Sequence, residues 1–358
     1  MITEVELPGI VEPDGLRLRR REIPQLEAGQ ALVRMEATGV SFAEQQMRRG
    51  KYYDQPPFPF VPGYDVVGVI ESLGPDSNSD ADSDADSDAD SGSGSGAGSG
   101  FVVGQRVAAL TKVGGWADRL VLNTADLVPV PAGVGAEEAE ALIVNGVTAW
   151  RMLRIAGVKR GDTIVVLGAN GGVGSLLVQF GRHLGAQVIG TASRRHLPYV
   201  RELGATPVDR EQDTVAAVKA IAPDGVAAVF DHVGGTGIRN SWSMLGRGGY
   251  LVSYGTAATR DQQGNAKLPV LALIGRLVMW NVLPNGKSAT FFNLWAGKAR
   301  RPERYQAELR ADLEAVLALL AAGEITARIA RAFPLADIAE ALRYAESGTA
   351  AGKVVLVP

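Results

Sequence analysis

The chain has 358 residues, 46% of them apolar, and no cysteine. That length suits about two domains, disulfides are excluded, and no apolar run of ~18 residues offers a membrane span. A net charge of −3 gives no electrostatic ground for binding nucleic acid.

Met1–Gly15 carries Glu4, Glu6, Glu12 and Asp14. The basic start and apolar stretch of a secretory signal are missing there, so a cytoplasmic location is expected. From there to about Gly133, short β-like segments recur at Ala31–Met35, Val66–Ser72, Gln105–Leu110 and Leu120–Leu122. Glycine and proline punctuate them, as in Val61-Pro62-Gly63.

Residues 75–100 interrupt this pattern with PDSNSDADSDADSDADSGSGSGAGSG. No large apolar side chain is present to offset the entropy of ordering. Seven aspartates lie here, between Asp76 and Asp90, and setting them aside turns a net −3 into +4 on the remainder. Calcium binding by the alternating aspartates is the functional alternative. The run lacks the glycine turn and distal glutamate of an EF-hand loop, so a disordered acidic insertion is expected.

From about Ala136, strands alternate with helices. Strands are expected at Thr163–Leu167, Gln187–Thr191, Ala227–Phe230 and Tyr250–Tyr254, with helices running through Leu184 and Leu203. Ala289–Leu294 is a candidate sixth strand, Glu303–Ala322 a helix, and Lys353–Val357 a final strand. Such alternation predicts an α/β fold with a doubly wound parallel sheet.

The strand at Thr163–Leu167 runs into Gly168-Ala169-Asn170-Gly171-Gly172-Val173-Gly174, and an apolar helix follows. Glycines permit a sharp turn and close approach to a pyrophosphate, and the helix N-terminus offers free N–H groups to that anion. The strand–turn–helix–strand context makes this a dinucleotide site, with Ala169, Asn170, Gly171, Gly172, Val173 and Gly174 in contact. At the end of the next strand an NAD enzyme places an acid for the ribose hydroxyls. Here that region reads Thr191-Ala192-Ser193-Arg194-Arg195. Ser193 and Arg194 suit a 2′-phosphate, so the expected cofactor is NADPH. A solvated basic start to a helix is the alternative. Val233, Gly234 and Gly255 end later strands and are candidates for backbone contact with ribose and nicotinamide; Asp231 reads as a turn cap.

A catalytic zinc needs three protein ligands from Cys, His and carboxylates. The only histidines, His183, His196 and His232, fall in the nucleotide-binding half. No metal site is expected, and reduction of an already polarised conjugated bond is the easier chemistry without a Lewis acid.

Val40–Tyr53, VSFAEQQMRRGKYY, followed by Phe60-Val61-Pro62-Gly63-Tyr64-Asp65, resembles the N-terminal pattern of quinone oxidoreductases, the zeta-crystallin-like branch of the medium-chain dehydrogenases. Asn145-Gly146-Val147-Thr148-Ala149-Trp150 and Gly352-Lys353-Val354-Val355-Leu356 fit the same family. The resemblance implies a GroES-like β-rich catalytic domain (1–134), a Rossmann NADPH-binding domain (135–295) and a C-terminal return to the catalytic domain (296–358). It also implies a site in the cleft and a homodimer with continuous sheets. By position, Tyr52, Asn145 and Thr148 match residues lining the nicotinamide pocket, and Lys353 matches one near the cofactor phosphates. Ser41 stands where the family often has Asn, and Glu44 where it has Asp; Ser41 can still hydrogen-bond, with shorter reach, while Glu44 reads as structural.

The expected activity is hydride transfer to a small-molecule quinone or α,β-unsaturated carbonyl. Tyr52 is the candidate hydrogen-bond or proton donor, with Ser41 and Thr148 beside it; Tyr53 or water are alternatives, and plain packing is an equal reading of Tyr52. Two rival readings are an enoyl or tailoring reductase of secondary metabolism and a redox-silent NADPH-binding protein. Trp280, Phe291 and Trp295 are expected in the pocket wall, the core or a dimer interface.

Overall fold

The structure, a computed structural model, describes residues 1–52, 54–75, 100–255 and 267–358. The acidic run between Pro75 and Gly100, expected to be a disordered insertion, lies outside the described residues, as does Tyr53.

The first part of the chain gives β1 (Ile2–Glu6), β2 (Arg17–Arg21), β3 (Gln30–Val40), α1 (Phe42–Arg48), β4 (Asp65–Leu73), β5 (Arg106–Leu110), β6 (Arg119–Asn123) and β7 (Val128–Pro129). A long helix, α2 (Ala136–Ile155), then opens the alternating part. It continues with β8 (Thr163–Val166), α3 (Gly172–His183), β9 (Gln187–Ala192), α4 (Leu197–Glu202), β10 (Thr206–Asp209) and α5 (Thr214–Ile221). Next come β11 (Val226–Asp231), α6 (Ile238–Met244), β12 (Leu245–Ser253), α7 (Lys267–Asn281) and β13 (Ser288–Phe291). The last elements are α8 (Pro302–Ala321), β14 (Ile329–Pro334), α9 (Ile338–Glu346) and β15 (Lys353–Val357).

β8 to β13 form one sheet in the order β10-β9-β8-β11-β12-β13, every pair parallel. Helices cover both faces, which is why β8 reads Ile164-Val165-Val166 without alternation. The strand order reverses between β8 and β11, and ligands of such sheets bind outside the carboxyl ends at that point. The second sheet has seven strands, running β14-β15-β3-β4-β5-β7 with β6 also on β3. Its last strand, β15, pairs antiparallel with β3 from the far end of the chain, and β14 pairs with β15 at the sheet edge.

Helix α2 joins the two halves. One side packs on α3 and the parallel sheet through Leu142, Ala149, Met152 and Leu153. The other packs on the seven-stranded sheet through Ala139, Ile143 and Val147. Helix α8 buries Leu309, Leu313, Val316 and Leu317 at helical spacing against it. A helix buried on two sides is rigid where it crosses the cleft, and that stretch carries Asn145 and Thr148.

Sequence reading missed β10, β14, α5, α6, α7 and α9. β10 is four residues long and carries a proline, and α7 is apolar on several faces, so neither shows a clear period.

Candidate active site

A cleft of about 440 Å³ lies between the carboxyl ends of β8, β11 and β12 and the surface made by α1, β4 and β15. Ser41, Tyr52, Asn145, Thr148, Gly171, Gly172, Val173, Gly174, Gly255 and Lys353 all line it. Residues from five separate stretches of sequence therefore converge, while Ala169, Asn170, Ser193 and Arg194 lie outside the cleft lining.

The glycine turn is locked from several sides. Ala169 N–H donates to Thr191 O at 2.8 Å and Gly168 N–H to Thr191 Oγ1 at 3.1 Å. A Cβ on Gly174 would stand 2.1 Å from Gly168 O, so only glycine lets the helix start this close to the strand. A Cβ on Gly172 would meet Asn145 Nδ2 at 2.6 Å. The unpaired N–H groups of the first turn of α3 face a space that side chains have vacated, and that cradle fits a dinucleotide pyrophosphate.

At the end of β9, Arg194 donates through Nε to Asp209 Oδ2 at 3.2 Å, yet its side chain is 82% exposed. Buried Asp209, at the end of β10, thus aims the guanidinium without covering it. Arg195 donates instead to Gly348 O at 2.6 Å, across to the C-terminal part of the chain. Burial together with Arg195, Arg328 and Arg210 lowers the pKa of His196, a sign that positive charge gathers at this end of the site. Ser193 sits half-buried directly before Arg194.

Val233 and Gly234 are placed differently from expectation. Their N–H groups donate to Asp231 Oδ1 at 2.7 and 2.9 Å, and Ser241 Oγ donates to Asp231 Oδ2 at 2.6 Å. Asp231 is the turn cap it was read to be, and the N–H groups of both residues are committed to it. Neither lines the cleft; His232 between Asp231 and Val233 does. Its Nδ1 lies 3.1 Å from Leu167 O, spanning the point where the strand order reverses. Burial pushes its pKa down, which favours the neutral ring.

The facing wall is aromatic and acidic. Tyr52 and Tyr64 are bonded hydroxyl to hydroxyl, their rings edge to face at 6.4 Å, and Trp295 Nε1 donates to Tyr64 Oη at 3.4 Å. Tyr64 belongs to the family pattern at Phe60–Asp65, and no local sequence signal ties it to Tyr52. Phe291 and Trp295 line the cleft, while Trp280 stacks on Trp242 at 4.8 Å in the core under the parallel sheet. Ser41 caps α1, accepting Ala43 N–H at 3.2 Å, and Glu44 accepts Ser41 N–H at 2.8 Å. Lys353 is a cleft residue, but its amine stands 3.2 Å from Asp65 Oδ2 and 3.0 Å from Glu140 Oε1 and is 3% exposed. That ammonium is committed to buried carboxylates, so the expected place beside the cofactor phosphates is not where the structure directs it.

Among the described residues, no group of three or more His, Cys, Asp or Glu side chains is arranged to hold a metal ion, and no helix is long and apolar enough to cross a membrane.

Residues 27–132 match the alcohol dehydrogenase GroES-like domain, and residues 203–356 match the model described as zinc-binding dehydrogenase. The synaptic vesicle membrane protein VAT-1 homolog of Rattus norvegicus is 30% identical over 98% of this chain and 83% of its own length. The chain belongs to the medium-chain dehydrogenase/reductase superfamily, in its zinc-free quinone oxidoreductase branch. The quinone oxidoreductase of Pseudomonas syringae pv. Tomato superposes over the full length of both chains with TM-score 0.80 at 25% identity. That of Thermus thermophilus, also solved with NADPH, gives TM-score 0.75 at 27% identity over 99% of this chain and 100% of its own. A GroES-like domain and a Rossmann-type parallel sheet are thus what this member of the branch folds into, and it is an oxidoreductase.

Proposed function

We propose that the protein is an NADPH-dependent reductase of quinones or α,β-unsaturated carbonyl compounds. The observation that carries this is the shared cleft, with a glycine cradle on one side and a bonded Tyr52–Tyr64 pair on the other; exposed Arg194 stands outside the cleft lining, at the end of β9. NADPH bound in the cradle supplies a hydride to the electrophilic carbon of the acceptor. The chain's own part is to position and stabilise. Asn145 and Thr148, fixed on α2, border the nicotinamide end. Arg194, with Ser193, takes the 2′-phosphate. Tyr52 donates a hydrogen bond to the oxygen on which negative charge develops, and Tyr64 and Trp295 hold its hydroxyl in place.

On the same reading the chain divides near 134/135 and 295/296, works in the cytoplasm and pairs as a homodimer. β13 is the edge of the parallel sheet, and Leu271, Val278 and Met279 on neighbouring α7 are exposed, an apolar face of the kind that marks an interface.

The decisive experiment follows NADPH absorbance with a panel of quinones and enones. Turnover of one class supports the reading. Tight NADPH binding without oxidation by any acceptor would instead favour a redox-silent cofactor-binding protein.

A further inference from the structure

Four ionisable side chains lie together under the floor of the cleft, and positioning a cofactor gives them no task. Glu44 on α1, Asp65 on β4, Glu140 on α2 and Lys353 on β15 are each almost sealed from solvent. Lys353 is the one cation against three carboxyls. A buried carboxylate without compensation is costly, and one ammonium, shared by Asp65 and Glu140, balances a single negative charge, so the charge balance of the cluster favours protons on the remaining carboxyls. The pKa directions agree. Burial raises Glu140 well above the carboxylate range, and burial raises Glu44 too, against the lowering pull of Lys353.

Of the two, Glu44 has an outlet. Its Oε1 accepts Tyr64 N–H at 2.9 Å. Its Oε2 accepts Ser41 N–H at 2.8 Å and is hydrogen-bonded to Ser41 Oγ. Ser41 Oγ also accepts Ala43 N–H, and Ser41 lines the cleft. While Glu44 is neutral, its O–H donates to Ser41 Oγ, and the serine proton turns to the cleft. Once Glu44 is ionised, the serine proton turns back to it. The reciprocal cap of α1 explains why Ser41 and Glu44 meet. It does not require the capping acid to sit beside a further buried carboxyl, Asp65, and the buried Lys353.

We propose that Glu44 stores the proton consumed in the reduction and passes it to the acceptor through Ser41 Oγ. The proposal rests on the reductase reading. An acceptor that has gained a hydride at carbon carries the displaced electron pair as an oxyanion. The Ser41 O–H bond breaks as the new O–H bond on that oxygen forms. The Glu44 proton moves to Ser41 Oγ, which leaves Glu44 as a carboxylate within the field of Lys353 and Asp65, and water reprotonates it after product leaves. The serine contacts the acceptor; Glu44 acts through it.

The test compares wild type, Glu44→Gln and Ser41→Ala. Gln keeps an acceptor for Tyr64 N–H and a donor toward Ser41 while removing the transferable proton. In the cofactor-free protein at neutral pH, the infrared C=O band of a neutral carboxyl should be present in wild type and diminished in Glu44→Gln. With NADPH and either 1,4-naphthoquinone or trans-2-hexenal, both variants should lose about 100-fold in kcat. They should keep their NADPH affinity, and they should lose the alkaline decline of kcat that marks a donor needing its proton. A surviving alkaline decline in Glu44→Gln, or an unchanged infrared band, overturns the relay while leaving the reductase reading intact. Failure of wild type to reduce any acceptor overturns that reading and with it the relay's task, and the infrared difference still separates the two failures.

Discussion

Across the cleft, the glycine turn at Ala169–Gly174 and the wall beneath Ser41 are built in opposite ways. The turn uses backbone: a strand, a helix start and glycines whose missing side chains make the room. All of its parts lie within a dozen residues. The facing wall uses side chains, and Ser41, Glu44, Tyr64, Asp65, Glu140 and Lys353 come from α1 and its cap, β4, α2 and β15. The comparison teaches where each wall is vulnerable. A backbone cradle fails by steric intrusion and is indifferent to pH. A buried charge cluster fails by loss of balance, and its failure depends on pH.

Four measurements would break or sharpen that contrast. Gly174→Ala puts a methyl 2.1 Å from a backbone carbonyl that cannot swing aside; no saturable NADPH binding should be left in a fluorescence titration. Lys353→Met leaves three buried carboxyls without their cation and should cost about 3–5 kcal/mol in denaturant unfolding. The sign with pH follows from Glu140 and Glu44, whose folded pKa values are raised above 4.5 by burial. The deficit should grow as pH rises past that value and shrink on acidification. Arg194→Glu should weaken NADPH by about 100-fold, roughly 2.7 kcal/mol, and NADH far less; equal losses would remove Arg194 as the phosphate clamp. His232→Gln should have the smallest effect. The folded pKa of His232 lies below 6.5, so the unfolded chain binds its proton first and wild type loses stability as pH falls through 6.5. Thermal melts of the variant should be flatter over that interval by about 1 kcal/mol or less.

The same contrast decides what was legible from sequence. The turn with its flanking strand and helix, and the basic residue at the end of β9, form a local pattern that can be read without the rest of the fold. The parallel strands followed from apolar runs. Tyr64 and His232 escaped as site residues because their neighbours are fixed only by the fold: Trp295 lies 231 positions from Tyr64, and Leu167 65 from His232. Val233 and Gly234 were placed on the right strand end, but whether an N–H faces a ligand or an aspartate is invisible in sequence. Glu140 carried an unread signal, a charge inside the apolar stretch Ala139–Val144 of α2, where a buried acid implies a buried partner.

The seven-stranded sheet has a consequence for how the chain is made. The Thr38–Val40 end of β3 stays unpaired on that side until β15 arrives, and Asp65 waits 288 positions for Lys353. The parallel sheet, built from consecutive strands, is complete well before that. During synthesis the nucleotide-binding half can settle first, while the other half holds unpaired strand backbone and uncompensated acids until Lys353–Val357 emerges. A chain stalled or clipped before Ile329 would therefore emerge able to fold around a nucleotide and unable to close its sheet, a natural substrate for chaperones and proteases.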